Sequence, residues 1–474
     1  MKFMKFSRIL RASRTNMKKA AAAAAVLLIF PVGLVLDGQT ATDPGLRPPP
    51  IDAGTFVGGL STQQTAMLPD FTTAFNRVVA VPNVPGKDGS PNVPPVFGGL
   101  GPVFNSNSCT GCHAAPANGG SSPASNPLFS IYQLDGATNT MPSFITTSGP
   151  VLVPRFPYQS DLITPDGTVH QLFTIQGRKD AVGCTLAQPN FVTAASQNNL
   201  VFRQPIPLFG DGMIDLIQDT DIINGLNSNL TLKQSLGIAG AYNRITNDAS
   251  VARFGWKASI KSLKEMVALE QTINKGVSNV FFPNEQNETA GCVLNAVPED
   301  GDNYPQGLVV PVPQRDQFTG DTQRATLFAR FLDQPTPAVP LGTTNGQVQF
   351  NNIGCNLCHT QTFVTPLGSI MNNNIQVNLF SDVLIHHMGN CLADNITQGT
   401  ATGDMFRTAP LWGAGQRIFF LHDGRTSNIV TAVEDHFCNA AGAYGPSEAN
   451  AVINAFNALS PGNQQDLISF LRNL

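Results

Sequence analysis

The chain opens with a basic stretch, Lys2, Lys5, Arg8, Arg11, Arg14, Lys18 and Lys19, followed by an apolar run from Ala20 to Leu36 and then polar Asp37-Gly38-Gln39. That order reads as a secretory signal over residues 1–38, and Met17 is an alternative start, since Met17-Lys18-Lys19 with the run already makes a complete signal. An uncleaved membrane anchor is the competing reading, although the run is at the short end for a span and Pro31 and Gly33 interrupt it. Residues 42–100, rich in Pro, Gly, Val and Thr, predict an irregular lead-in. Short apolar runs such as Gly149 to Pro154 suit short strands or loops. Ile260, Leu263, Val267 and Ile273 recur at roughly helical spacing and predict a helix over Ser259 to Asn274. Another is predicted over Thr322 to Phe331, and two short helices close the chain, Ser447 to Leu459 and Pro461 to Leu474. Ser460 is a good N-cap, Pro461 suits the first helical position, and Leu467, Phe470, Leu471 and Leu474 then share one face. The pattern predicts a mainly α fold with extensive loops and a few short strands.

Composition sharpens this. Only 13% of the 474 residues are charged, about half the share usual in soluble domains. With 43 Gly and 35 Pro this suggests a compact, loop-rich protein, and 30 Phe argue against disorder. Without residues 1–38, which carry seven basic groups and one acidic, 21 basic and 31 acidic side chains remain, a net of −10. Such a chain repels nucleic acid and suits a basic partner such as a small electron-carrier protein.

Eight cysteines carry the chemistry. Four form Cys109-Thr110-Gly111-Cys112-His113 and Cys355-Asn356-Leu357-Cys358-His359. Thiols at this spacing reach the two vinyl groups of one haem, and the following His lies beneath the iron as its proximal ligand. Zinc sites or redox dithiols are the bland alternatives, and two such motifs in an exported chain leave them little room. The chain therefore reads as a c-type cytochrome with two covalently bound haems. The two histidines are 246 residues apart, so each haem is expected to have its own domain: residues 39–340, with the lead-in and an inserted region, and residues 341–474. Cys184, Cys292, Cys391 and Cys438 remain, and in an oxidising compartment they suggest two disulfides, 184 with 292 and 391 with 438 being favoured among three connectivities.

The sixth position of each iron decides between electron transfer and reaction. His386, His387, Met388, His422 and His436 lie near the second motif in sequence, whereas His170 is the only other histidine in the first domain. The stretch Phe406-Arg407-Thr408-Ala409-Pro410-Leu411-Trp412-Gly413, followed by Leu421-His422-Asp423-Gly424-Arg425, resembles the C-terminal signature of the bacterial di-haem cytochrome c peroxidase superfamily. Gly101 to Asn105, Arg253 to Ala258 and His386 to Gly389 also resemble its di-haem oxidoreductase branch, so the resemblance covers roughly residues 95–474.

The resemblance implies His436 as the second haem's distal ligand, with Met388 as the alternative, and Arg407 as a partner for haem propionates. It implies Trp256 as an electron relay between the haems. It also implies an inter-domain calcium ion held by backbone carbonyls near the His-Asp-Gly motif, although Phe419 stands where the supporting Pro is expected. The family's catalytic Gln and Glu are replaced by Met266 and Gly276, and its distal His by Phe129. An acid, if there is one, is then expected from Glu270 or Asp215, in a first-haem pocket made apolar by Phe129 and Met266. These expectations describe a periplasmic di-haem oxidoreductase that takes electrons from a carrier of cytochrome c or cupredoxin type and reduces a small oxidant such as hydrogen peroxide. A homodimer is left open. Two rivals stand beside this reading: a pure electron-transfer cytochrome, and an oxygenase-like or oxidative-modification enzyme.

Overall fold

The computed structural model describes residues 41–48, 52–79, 100–129, 139–174, 185–245, 248, 250–286, 300, 320–368 and 373–474. The signal or anchor segment, Cys184 and Cys292 lie outside them. No described helix is long and apolar enough to cross a membrane.

Among the described residues the fold is helical with small sheets. The helices are α1 (Thr62–Asn76), α2 (Phe191–Ser196), α3 (Asp211–Ile214), α4 (Asp219–Asn227), α5 (Leu230–Ser235), α6 (Leu263–Lys275), α7 (Asp321–Phe331), α8 (Asn345–Asn352), α9 (Ile429–Glu434), α10 (Asn450–Asn457) and α11 (Pro461–Asn473). Eight short strands form four antiparallel pairs: β1 (Val103–Phe104) with β3 (Phe173–Thr174), β2 (Val153–Arg155) with β4 (Val201–Arg203), β5 (Phe363–Val364) with β6 (Gln376–Val377), and β7 (Ile385–His387) with β8 (Met405–Arg407).

The expected helices form, with shifted ends. Ser262 caps α6 by accepting from the Glu265 amide, so the helix starts four residues later than the apolar spacing suggests. Ser460 caps α11 by accepting from Asn463, as its sequence position implied. The lead-in is less irregular than expected, because α1 lies within it. Ser61 and Gln64 form a reciprocal capping box. Pro69 interrupts the ladder mid-helix, and the Thr72 and Thr73 hydroxyls donate to the carbonyls of Leu68 and Pro69 there. Phe71 and Phe75 of α1 then stack on Phe331 and Phe328 of α7.

The largest buried cluster joins Phe71, Phe75, Phe209, Phe254 and Phe328 to Phe363, Val377, Leu384 and Trp412, so apolar packing crosses residue 340 without a break. A second cluster surrounds Phe104, Leu172 and Phe173, and a third surrounds Phe350, Phe380, Phe456 and Phe470.

Two packings place the cysteine motifs. The C-cap of α6, Gly276, has φ +68° and meets Gly101 backbone to backbone; a Cβ at Gly101 would lie 2.1 Å from the Gly276 oxygen. This contact locks α6 to the segment leading into Cys109. In the C-terminal part α8 leads directly into Cys355, and Phe470 of α11 packs on Phe350 of α8 at 5.4 Å between ring centres.

Candidate functional site

The two His of the Cys-x-x-Cys-His motifs are held in the same way. His113 Nδ1 donates to the Gly120 carbonyl at 2.9 Å, and His359 Nδ1 donates to the Phe380 carbonyl at 2.9 Å. Donation from Nδ1 leaves Nε2 as the nitrogen that could bind a metal; in His113 the Ile206 backbone also acts on the ring. Burial pushes both rings down to about 4, so they are neutral. The four thiols are free, and burial pushes Cys112 and Cys355 up to about 12. No described group of three His, Cys, Asp or Glu could hold a metal ion by itself.

Beside His113 lie two adjoining cavities, of about 60 and 130 Å³. The first touches Cys109, Cys112 and Lys275, the second touches Trp256, Arg155, Arg407 and Asp211, and His113, Leu208, Met266 and Glu270 line both. Met266 and Glu270, one turn apart, present one face of α6 to this space. The buried Nε atoms of Arg155 and Arg407 have no hydrogen-bond partner among the described residues. Arg155 and Arg407 line the second cavity and the two thiols the first, with His113 common to both; a haem bound across them would bring anionic propionates that two unpartnered guanidinium nitrogens suit.

The carboxyl groups here differ from expectation. Glu270 lines the space; burial pushes its carboxyl up, against the pull of Arg155 and a hydrogen bond from Asn274. Asp215 is engaged elsewhere: it accepts from the Leu263 amide at 3.0 Å and pairs with Arg330 at 2.5 Å, which fixes the start of α6. One turn earlier, Asp211 faces the cavity instead. Burial pushes it up to about 7, with Asp215 adding to the rise and Arg407 opposing it. Phe129 does not line either cavity and is 41% exposed. His170 stacks on Phe156 and pairs with Asp166 at 2.9 Å.

Around the second motif, Cys355 and Cys358 pack against an apolar cluster of Ile238, Leu357 and Val452. His436, just beyond α9, donates from Nδ1 to the Ala432 carbonyl at 2.7 Å, the same arrangement as the two motif histidines. It lies close enough to His359 that its charge acts with burial to lower that ring. Met388 is half-buried, its amide bonded to Asp404. His386 is held between Glu448 at 2.8 Å and Asp382 at 3.0 Å, with Nδ1 3.7 Å from the Cys358 sulfur.

A contact chain joins the two regions. Trp256, on the wall of the second cavity, donates to the Gln204 carbonyl and meets the His422 ring edge-on at 6.3 Å. His422 stacks on Phe406 at 4.3 Å, and Phe406 stands opposite His386 in the β7–β8 ladder, on the same face. Lys257 Nζ lies 4.1 Å from the Phe406 ring centre, held by Asp394 at 3.1 Å and by the carbonyls of Thr402, Gly403 and Met405. The carbonyls near His422, where the resemblance implies calcium, accept instead from Gln204: its side chain reaches the oxygens of Leu421 and Phe419, and its amide that of His422. The Cys391–Cys438 disulfide forms as expected. The pairing of Cys184 with Cys292 lies outside the described residues.

A family model described as "Di-haem oxidoreductase, putative peroxidase" matches residues 158–474. No curated protein matches the chain. A solved structure, of a MauG-like protein associated with microbial copper homeostasis, is 16% identical, with 34% of this chain and 55% of that one aligned and a TM-score of 0.23. The chain thus spans little more than half the length of that structure.

Proposed function

The chain belongs to the di-haem oxidoreductase family, and on that premise we propose that it is an exported di-haem c-type cytochrome with peroxidase-like activity. Cys109 and Cys112 would hold one haem covalently with His113 as its proximal ligand, and Cys355 and Cys358 the other with His359. His436 would be the second protein ligand of that haem, which would then serve as a low-spin relay. The first would be the reaction centre. Bound at His113, haem iron supplies the electrons and the coordination site at which a peroxide is reduced.

The chain's own residues supply protons, charge and a path. Turning one hydrogen peroxide into two waters takes two protons and two electrons. Glu270 and Asp211 are buried carboxyl groups raised towards the protonated form, placed on the cavity wall where general acids belong. Arg155 and Arg407 would neutralise the propionates. Trp256, His422, Phe406 and His386 link the cavity to Cys358 as a route for electrons. The Cys391–Cys438 disulfide supports an oxidising compartment such as the periplasm. A small carrier, a cytochrome c or a cupredoxin, would deliver the electrons.

The observation that carries this reading is that the cavity beside His113 contains two buried carboxyl groups and no second histidine among its lining residues. The test is peroxide turnover with a reduced carrier. Glu270→Gln is expected to lower kcat by about 10²- to 10⁴-fold with both haem spectra intact; an unchanged rate removes Glu270 as the acid. One observation favours a second reading. Met266 lines both cavities with His113, and a thioether on the iron would make the first haem a six-coordinate electron-transfer centre.

A further inference from the structure

The sequence from Gln334 to Ser381 contains no Asp, Glu, Lys or Arg in 48 residues, and the second Cys-x-x-Cys-His motif sits within it. At the chain's overall charged fraction of 13%, about six would be expected there. This neutral stretch forms an open cleft of about 860 Å³ lined by Pro337, Val339, Leu341, Val348, Gln347 and Gln361, among others. Gln361 is two residues from His359, so the cleft reaches the second motif. Alongside it, on and around the β5–β6 hairpin, apolar side chains stand in solvent: Leu367 is 80% exposed, Val364 50% and Ile375 38%, with Val348 of α8 at 49%.

Among the described residues no charged side chain lines the cleft, and three charged groups beside it are engaged. Arg47 donates to the Thr336 carbonyl, Asp52 accepts from the Thr336 amide, and Asp466 accepts from Asn345. Within the cleft the Gln347 side-chain amide donates to Gln361, and Asn378 accepts from the Thr362 hydroxyl beside it.

We infer that this uncharged surface is the docking face for an electron-carrier protein whose own cofactor edge is ringed by apolar, uncharged side chains. The inference rests on the reading that the second haem exchanges electrons with a partner, and it specifies that partner's contact face. A strongly basic carrier face would lose its hydration here without meeting a carboxylate inside the contact. The net −10 of the chain beyond residue 38 acts at long range and is screened by salt. Apolar contact is not.

The test is stopped-flow reduction of the second haem in the full di-haem protein. The probes are a reduced cupredoxin with an apolar patch around its copper and a reduced basic c-type cytochrome, with dithionite as a direct reductant. The cupredoxin rate constant is expected to change less than about twofold between about 20 and about 500 mM salt. In Leu367→Glu and Val364→Glu it should fall about tenfold, while reduction by dithionite stays the same. A cupredoxin rate that drops steeply with salt, or that ignores both substitutions, overturns the docking surface and leaves the relay standing. If dithionite reduces the second haem but neither carrier does, the relay reading itself fails and the docking face with it.

Discussion

The wall of the cavity beside His113 and the surround of His359 start from the same local device and diverge from there. Each motif histidine gives its Nδ1 proton to a backbone carbonyl, which leaves Nε2 as the nitrogen for a metal. Beyond that, the first region gathers buried charge: Arg155, Arg407, Asp211 and Glu270 line the cavity, with no histidine besides His113. The second region offers a second imidazole, His436, set up like its partner, and a neutral exterior with no charged residue from 334 to 381. Buried acids beside a bare position suit proton-coupled chemistry, whereas paired imidazoles beneath a neutral surface suit electron transfer. On the proposed reading, one fold separates the reacting site from the wiring by where it places charge.

The largest effect expected at the second region is the complete loss of its low-spin spectrum in His436→Ala, with electron delivery to the first region lost as well. His170→Ala should leave both haems' absorption spectra unchanged, because that ring is committed to Phe156 and Asp166. If His436→Ala leaves the low-spin signal in place, Met388 becomes the ligand to test.

A smaller effect separates the regions by pH. Asp211 is raised by burial to about 7, so the turnover that depends on its proton is expected to hold below about pH 7 and to fall about tenfold per unit above it. Asp211→Asn should flatten that limb. Reduction of the second haem by dithionite should show no matching step. The same shift bears on stability. The folded state holds this proton to higher pH than the unfolded chain does, so the contribution is full below the usual carboxylate range and is lost as pH rises through about 7. Chemical denaturation of wild type and Asp211→Asn across pH 4–8 measures it.

The smallest effect is expected from chelation. Gln204 already occupies the carbonyls near His422, so EDTA should change turnover less than about twofold. Gln204→Ala would free those oxygens, and a calcium response in that variant alone would show that the amide stands in for a cation.

Much of this could be read from the sequence, and the misses have physical reasons. The two Cys-x-x-Cys-His motifs and the Ser460 cap of α11 are set by local spacing, which a sequence displays directly. The capping box of α1 was equally local, but Pro69 and the surrounding Pro-rich segments masked it. Asp211 and Asp215 lie one turn apart in a single motif, and only the packing of α3 against α6 and α7 decides which faces the cavity and which pairs with Arg330. Phe129 sits at the expected count from His113, yet it is exposed and lines neither cavity. Gln204 meets carbonyls more than 200 residues away, a contact that no spacing announces.

The difference between the two regions is tested most directly by the spin state of the first haem. EPR and absorption spectra of the full-length protein, resting and half-reduced, would read it. One low-spin haem, abolished in His436→Ala, together with one high-spin haem that responds to added peroxide is the expected result. Two low-spin, six-coordinate haems in every redox state would contradict it, and Met266 would then be the ligand that closes the first site.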